Sequence, residues 1–223
     1  FFLLLSLLIK VLFMMNQIKQ KEYLNEYFWK SSFSARFDSA VQDKLAADIK
    51  KMDEIIKNNK PKYGPEFKFP LEKEDLRWAP FDVGYSLCKA ILSILASRVP
   101  KSFINNIPVV LDNSNLSRGT GKNYHHFFPK KFLELQKISN VKRNVISNIT
   151  VISAADNQKE IKTQAPSKYI TDFQKSNPEL AETLTLHLIG DLQDFGILDD
   201  NYEKFIEERT NLIWKEIQSR IET

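Results

Sequence analysis

Residues 123–129 read "NYHHFFP". Two of the chain's three histidines stand side by side here, followed by two phenylalanines and a proline. The stretch reads as an apolar strand edge, with Phe127 and Phe128 as the backing that holds it in place. Upstream, "INNIPVVLDNSNLSRGTGK" (104–122) sets the turn formers Asn, Ser and Gly around short β-like runs. Downstream, "NVISNITVIS" (144–153) alternates β-branched residues and is the best second strand. "AADNQKEIKTQ" (154–164) then starts a short helix. A small strand–loop–strand–helix unit, about residues 106–165, is therefore expected inside an otherwise helical chain.

The flanks are helical by periodicity. Residues 3–30 read as helix, with Tyr23, Tyr27 and Phe28 near its end. In "SSFSARFDSAVQDKLAADIKKMDEIIKNN", Ser34 or Asp38 is the expected cap, and Val41, Leu45, Ile49, Met52 and Ile56 step by three and four. "NNKPKYGPEFKFP" is loop, and helix signals are weak in "LEKEDLRWAPFDVG". "DVGYSLCKAILSILASRV" is too apolar for a surface helix and belongs to the core. From residue 178 two helices are expected, broken near Gly196–Asp200, the second with Phe205, Leu212, Ile213 and Ile217 at helical spacing. The fold class is thus mainly α with an embedded ββα unit. Its divisions are 1–105 helical, 106–175 the small unit, and 176–223 C-terminal helices packing on it.

Composition narrows the chemistry. A single cysteine, Cys88, excludes a disulfide framework and a Cys-rich zinc site and suits a reducing, cytoplasmic setting. It sits in an apolar run and reads as a core residue. Residues 101–175 hold 12 Lys/Arg against 5 Asp/Glu, a balance of +7; residues 176–223 hold 4 against 11, a balance of −7. The basic excess surrounds the paired histidines, which fits a polyanionic partner as well as it fits a solvated lysine-rich face. The opening "FFLLLSLLIKVLFMM" falls short of the roughly 20 residues a membrane span needs. It reads as a buried helix, and without a starting Met the chain reads as part of a longer protein, with no membrane partner.

The chemistry concentrates in His125, His126, Asn148 and Asn157. A neutral histidine accepts a proton near pH 7, as a hydrolytic general base must. Taken singly, each has a plainer reading. Asn148 serves equally as a turn or bulge residue, Asn157 as a helix cap, and Arg118, Lys122, Lys159 and Lys162 as a solvated face. His187, in "LTLHLIG", reads as a packed structural histidine.

In order and rough spacing, "HHFFP", "SNITVIS" and "ADNQKEIK" resemble the HNH nuclease motif, also called ββα-metal or His-Me finger. More widely, "YFWKSSFSARFDSAVQDKLAADIKKM" and "LSRGTGKNYHHFFPKKFL…NITVISAADNQKEIKTQAPSKYI" resemble the C-terminal half of modification-dependent, ParB-like/HNH restriction proteins. The resemblance covers most of residues 20–175. It implies a metal-dependent DNA endonuclease of a restriction or phage-defence protein, with an N-terminal ParB-like nucleotide-hydrolysing domain preceding the present chain. It implies His126 as general base, Asn148 as the residue that ties the loop and orients the base, and Asn157 with His125 as ligands of a divalent ion. Arg118, Lys122, Lys159 and Lys162 become candidate phosphate contacts. The family usually has Asp where His125 stands. A nitrogen ligand there shifts preference from Mg²⁺ toward Mn²⁺, Co²⁺ or Ni²⁺. One active site per chain nicks DNA, so a double-strand cut needs a homodimer or two events. "APSKY" (165–169) reads as a proline-led helix start with Tyr169 packing on the small unit. Two other readings stand beside the nuclease: a non-catalytic nucleic-acid-binding module, and a helical scaffold whose basic patch serves a protein partner.

Overall fold

The computed structural model describes residues 18–109, 124–152, 161 and 163–222. Residues 1–17 of the expected opening helix, most of the short helix expected over 154–164, and Arg118, Lys122, Asn157, Lys159 and Lys162 lie outside the described residues; from residue 18 the opening helix is as expected. The architecture is mainly α with one small two-stranded sheet, as the patterning predicts. The chain divides into two units. One comprises residues up to Pro70, Tyr85–Ala90 and those from Gln218 on; the other comprises Leu71–Gly84 and Ile91–Ile217. No helix among the described residues is long and apolar enough to cross a membrane.

The first unit pairs helix α1 (Ile18–Phe33) with α2 (Val41–Ile56). Leu24, Tyr27, Ile55 and Phe67 form its core, with Tyr23, Met52 and Tyr63 packed against them. Asp48 is buried there, and its carboxylate is satisfied by three charge-assisted or neutral donors. Arg36 donates to it twice, at 3.0 and 2.9 Å, and the Tyr27 hydroxyl donates at 2.9 Å. Neither expected cap serves α2: its N-cap is Ala40, in the left-handed region at φ 47°, with no side-chain cap. Asp38 turns away and accepts the Ser86 amide at 3.1 Å instead.

In the second unit, α3 (Lys73–Arg77) forms where helix signals were weak, because Glu72 and Asp75 make a reciprocal capping box. Helix α4 (Ser86–Ser97), whose residues from Ile91 on belong to this unit, is the apolar core helix of the sequence; Ile91 and Ile94 are fully buried. Strand β1 (Tyr124–His126) pairs antiparallel with β2 (Ile149–Val151), His126 opposite Ile149 and His125 opposite Thr150. Between them lie α5 (Lys130–Leu135) and α6 (Asn140–Arg143), the latter capped by Ser139. The second strand is shorter than the alternation over 144–153 suggests. Val145 bridges to Pro80 and the Ile146 amide donates to Ala79, so the segment is first claimed by another partner. It then makes a 3₁₀ turn over Ile146–Asn148, which places Asn148 in that turn and not inside the strand.

Helices α7 (Pro166–Ser176), α8 (Leu180–Leu186) and α9 (Tyr202–Ile221) follow. The proline-led start of α7 is as expected, and Asp200 caps it by accepting the Ser167 amide at 2.9 Å and hydroxyl at 2.8 Å. The interruption before α9 runs from His187 to Asn201, longer than the expected break at Gly196–Asp200. The core gathers Phe103, Phe127, Phe128, Tyr169, Phe173 and Phe205, with the Phe127 and Phe205 rings stacked at 4.8 Å.

His187 is fully buried, and its Nε2–H donates to the Lys101 carbonyl at 2.8 Å. A carbonyl only accepts, so Nδ1 is the atom that would take a second proton. Burial pulls this imidazole down to about 4; the Lys101 bond opposes that, and the charge of Arg209 reinforces it. The unfolded chain, with an ordinary histidine at 6.5, takes up its proton first. Stability is therefore full above pH 6.5 and falls as the pH drops toward 4, by about 3 kcal/mol for this group. Urea melts across that window in wild type and His187→Gln check it. A variant whose acid limb is as steep as wild type would refute the assignment.

Candidate functional site

The β1–β2 ribbon brings His126 and Asn148 into one small structure. Asn148 is fully buried. Its Oδ1 accepts the Phe128 amide at 2.8 Å, and its Nδ2 donates to the carbonyls of Phe128 at 3.0 Å and Arg143 at 3.3 Å. Its own carbonyl accepts the Phe127 amide at 2.8 Å. One carboxamide thus ties the end of β1 to the turn before β2. A plain turn residue has no use for this many long-range bonds, so the loop-tying role implied by the sequence fits the observed geometry. An Asn148→Asp change turns the donor into an oxygen facing two carbonyls and places charge in a site without water. It is expected to cost about 3 kcal/mol or more in urea melts. A loss below about 0.5 kcal/mol, the usual range for a surface change, would contradict that role.

His126 is half-buried at the end of β1. Its Nε2 lies 3.0 Å from Asn144 Oδ1. Asn144 Nδ2 is committed to the Phe81 carbonyl at 3.1 Å, and the Phe81 amide returns a bond to the Asn144 carbonyl at 2.8 Å. This network fixes the amide so that its oxygen faces the imidazole. Nε2 must then carry the proton, leaving Nδ1 with a bare lone pair. The Phe81 ring stands edge-on to the imidazole, centroids 6.4 Å apart. Burial pulls His126 down to about 4; the Asn144 bond raises it and the Lys130 ammonium lowers it. The ring is neutral at pH 7, the form in which it accepts a proton.

His125 is buried, and its carbonyl accepts the Thr150 hydroxyl at 3.4 Å. Side chains alternate along a strand, so His125 and His126 leave opposite faces of the ribbon. Among the described residues no three of His, Cys, Asp or Glu come together to hold a metal. The described donor set for an ion is therefore the single imidazole of His125, since Asn157 lies outside the described residues. A buried imidazole on the face opposite His126 does not by itself fit a cation that keeps most of its shell as water and reaches a phosphate beside His126.

Two residues from the C-terminal half hold the ribbon. Tyr169, at the start of α7, packs its ring against Phe127 at 5.8 Å and donates its hydroxyl to the Phe127 carbonyl. Arg209, in α9, is fully buried and donates to the carbonyls of Ser147 at 2.9 Å, Ile149, and His187 at 3.1 Å. Burial lowers it to about 9, so it stays protonated at neutral pH. Beside it, the hydroxyls of Ser147 and Thr210 bond at 2.9 Å. Sequence reasoning missed Asn144, Phe81 and Arg209. Asn144 opens the "NVISNITVIS" stretch and was readable only as part of a strand. Arg209 occupies a core position of a helix, where its charge points away from the reading it requires.

Comparison with known proteins adds a relative without adding a role. The chain is 28% identical to an uncharacterized protein of Methanocaldococcus jannaschii over 231 aligned residues. The match takes in 92% of this chain and 38% of the archaeal protein, so the chain spans well under half of that relative. No family model matches. No solved structure matches.

Proposed function

We propose that the His126–Asn144–Asn148 constellation is the general-base site of a metal-dependent DNA endonuclease of the HNH class. The observation that carries the reading is the paired use of two asparagines. Asn148 fastens the loop behind β1, and Asn144 fixes the His126 tautomer with Nδ1 bare. The tautomer of His126 is fixed at a position that keeps partial access to solvent. In the reaction, His126 Nδ1 takes a proton from a water whose oxygen bonds to phosphorus. The bond from phosphorus to the leaving oxygen breaks, and that oxygen takes its proton from solvent. By the resemblance in the sequence, His125 and Asn157 would hold a divalent ion, Mg²⁺ or Mn²⁺, with Co²⁺ or Ni²⁺ also suited to a nitrogen ligand; because His125 leaves the opposite face of the ribbon, an ion beside His126 would have to rely on Asn157. Such an ion supplies positive charge to the phosphate and the leaving oxygen.

The wider setting follows from the resemblance in the sequence: a modification-dependent restriction or phage-defence protein of the cytoplasm, with a ParB-like nucleotide-hydrolysing domain as partner. A homodimer would convert two nicks into a double-strand cut. Digestion of modified and unmodified plasmid with each of the four ions tests the reading. Cleavage is expected, with Mn²⁺, Co²⁺ or Ni²⁺ at least as effective as Mg²⁺. DNA binding without cleavage under any ion would favour a non-catalytic nucleic-acid module, and absence of binding a helical scaffold.

A further inference from the structure

Two cationic side chains, those of Lys130 and Arg143, lie in the segment that joins the strands next to His126; only the main chain of Arg143 helps to hold the ribbon. Lys130 is the first residue of α5, four positions after His126, and its ammonium is exposed. Arg143 reaches back over the same turn, its Nη1 donating to the Lys130 carbonyl at 3.4 Å and lying 3.5 Å from Glu134. Asn144, the next residue, bonds to His126. Adjacent residues of one segment therefore touch both the base and the helix turn that carries the lysine. Glu134 is shared, since Lys131 also reaches it at 3.3 Å. Among the described residues no carboxylate pairs with Lys130, and Arg143 Nε is buried without an acceptor.

Lys131 and Arg143 share Glu134, which leaves the Lys130 charge near Arg143 without an acid of its own. We infer that Lys130 and Arg143 form a phosphate anchor that seats a DNA backbone phosphate next to His126. The inference rests on the nuclease reading for its substrate, and it names the residues that contact the substrate's charge. Arg143, its Nη1 already held, is suited to a fixed contact through Nη2 and Lys130 to a mobile point charge, the combination that places a phosphate while tolerating sequence. Loss of hydration and the nearby Arg143 both lower the Lys130 ammonium, as expected of a site that lacks its anion. The same Lys130 charge bears on His126.

The test is fluorescence anisotropy of a labelled DNA duplex with the full chain, titrated from about 50 to about 200 mM salt, beside plasmid cleavage. Lys130→Gln removes an exposed side chain and should leave the fold intact. Arg143→Lys keeps charge but loses the fixed Nη2 contact. Lys175→Gln is the control, an exposed lysine on α7 that pairs with Asp172 at 2.8 Å. Lys130→Gln is expected to weaken binding roughly five- to tenfold and to reduce the salt slope by about one. Arg143→Lys should weaken binding by a few-fold with the slope unchanged, and Lys175→Gln should match wild type. Wild-type cleavage with no binding change in Lys130→Gln would overturn the anchor and leave the nuclease reading standing. Weakened binding in Lys130→Gln with no cleavage by any variant would support the anchor and overturn the catalytic reading. No duplex binding by wild type would overturn both.

Discussion

His126→Ala is expected to lower DNA cleavage by about a thousandfold while leaving duplex binding within a few-fold of wild type. A positioned general base contributes roughly 10²–10⁴-fold, and His126 is the candidate with a bare ring nitrogen and a fixed tautomer. The side chain is half-buried and bonds only to Asn144 among the contacts above, so its removal should cost the fold little. A readout that separates chemistry from positioning is available in Asn144→Leu. That change keeps the imidazole but frees it to rotate and to exchange tautomers, so it should lower kcat by a smaller factor, roughly tenfold, with KM unchanged. Cleavage in His126→Ala within threefold of wild type would remove His126 from the mechanism. An equal loss in binding and cleavage would assign it to substrate contact.

The second large effect is on stability. Arg209→Met is expected to destabilise the second unit by about 3–5 kcal/mol, a large part of the 5–15 kcal/mol that holds a typical domain together. Methionine keeps an unbranched apolar stem, shorter than arginine's, and donates nothing. The carbonyls of Ser147, Ile149 and His187 would each be left buried and short of a partner, at about 1–3 kcal/mol apiece, offset in part because a buried cation is no longer desolvated. Arg209→Lys should recover only part of the loss, since one ammonium cannot span three carbonyls in the geometry of a guanidinium. Urea melts of both variants give the comparison. Arg209→Met as stable as wild type would mean that the carbonyls find other donors at no cost. Because Ser147 and Ile149 flank Asn148, cleavage should fall along with stability in the methionine variant.

What the sequence disclosed was governed by local pattern. The apolar helix around Cys88, the helical spacing through Phe205 and Ile213, and the proline before Tyr169 are rules of period and of terminal residues, and each produced the expected element. The two strands were legible because the paired histidines follow a turn-rich stretch and β-branched alternation returns over 144–153. The failures have physical causes. Asp38 looked like a cap for α2 but is drawn to the Ser86 amide, a contact 48 positions away. Val145 looked like strand and is claimed by Pro80, 65 positions earlier, before the ribbon begins. At the site, His126 and Asn148 were legible by type and spacing, whereas Asn144 acquires its role only through the Phe81 carbonyl. Arg209 was the hardest to read, because a charge in the middle of an apolar helix face is explained only by the carbonyls it meets.

The Arg209 contacts also impose an order in time. Ribbon and loop join residues about 20 apart, through Asn148 to Phe128, so they close soon after that stretch of chain is made. The clamp on Ser147 and Ile149 spans 62 and 60 positions. A ribosome must therefore translate α9 past Arg209, and release it from the exit tunnel, before those two carbonyls receive their donors. Until then the ribbon has its histidine and its asparagine but not the helix that steadies them, so a growing chain holds the ribbon least firmly.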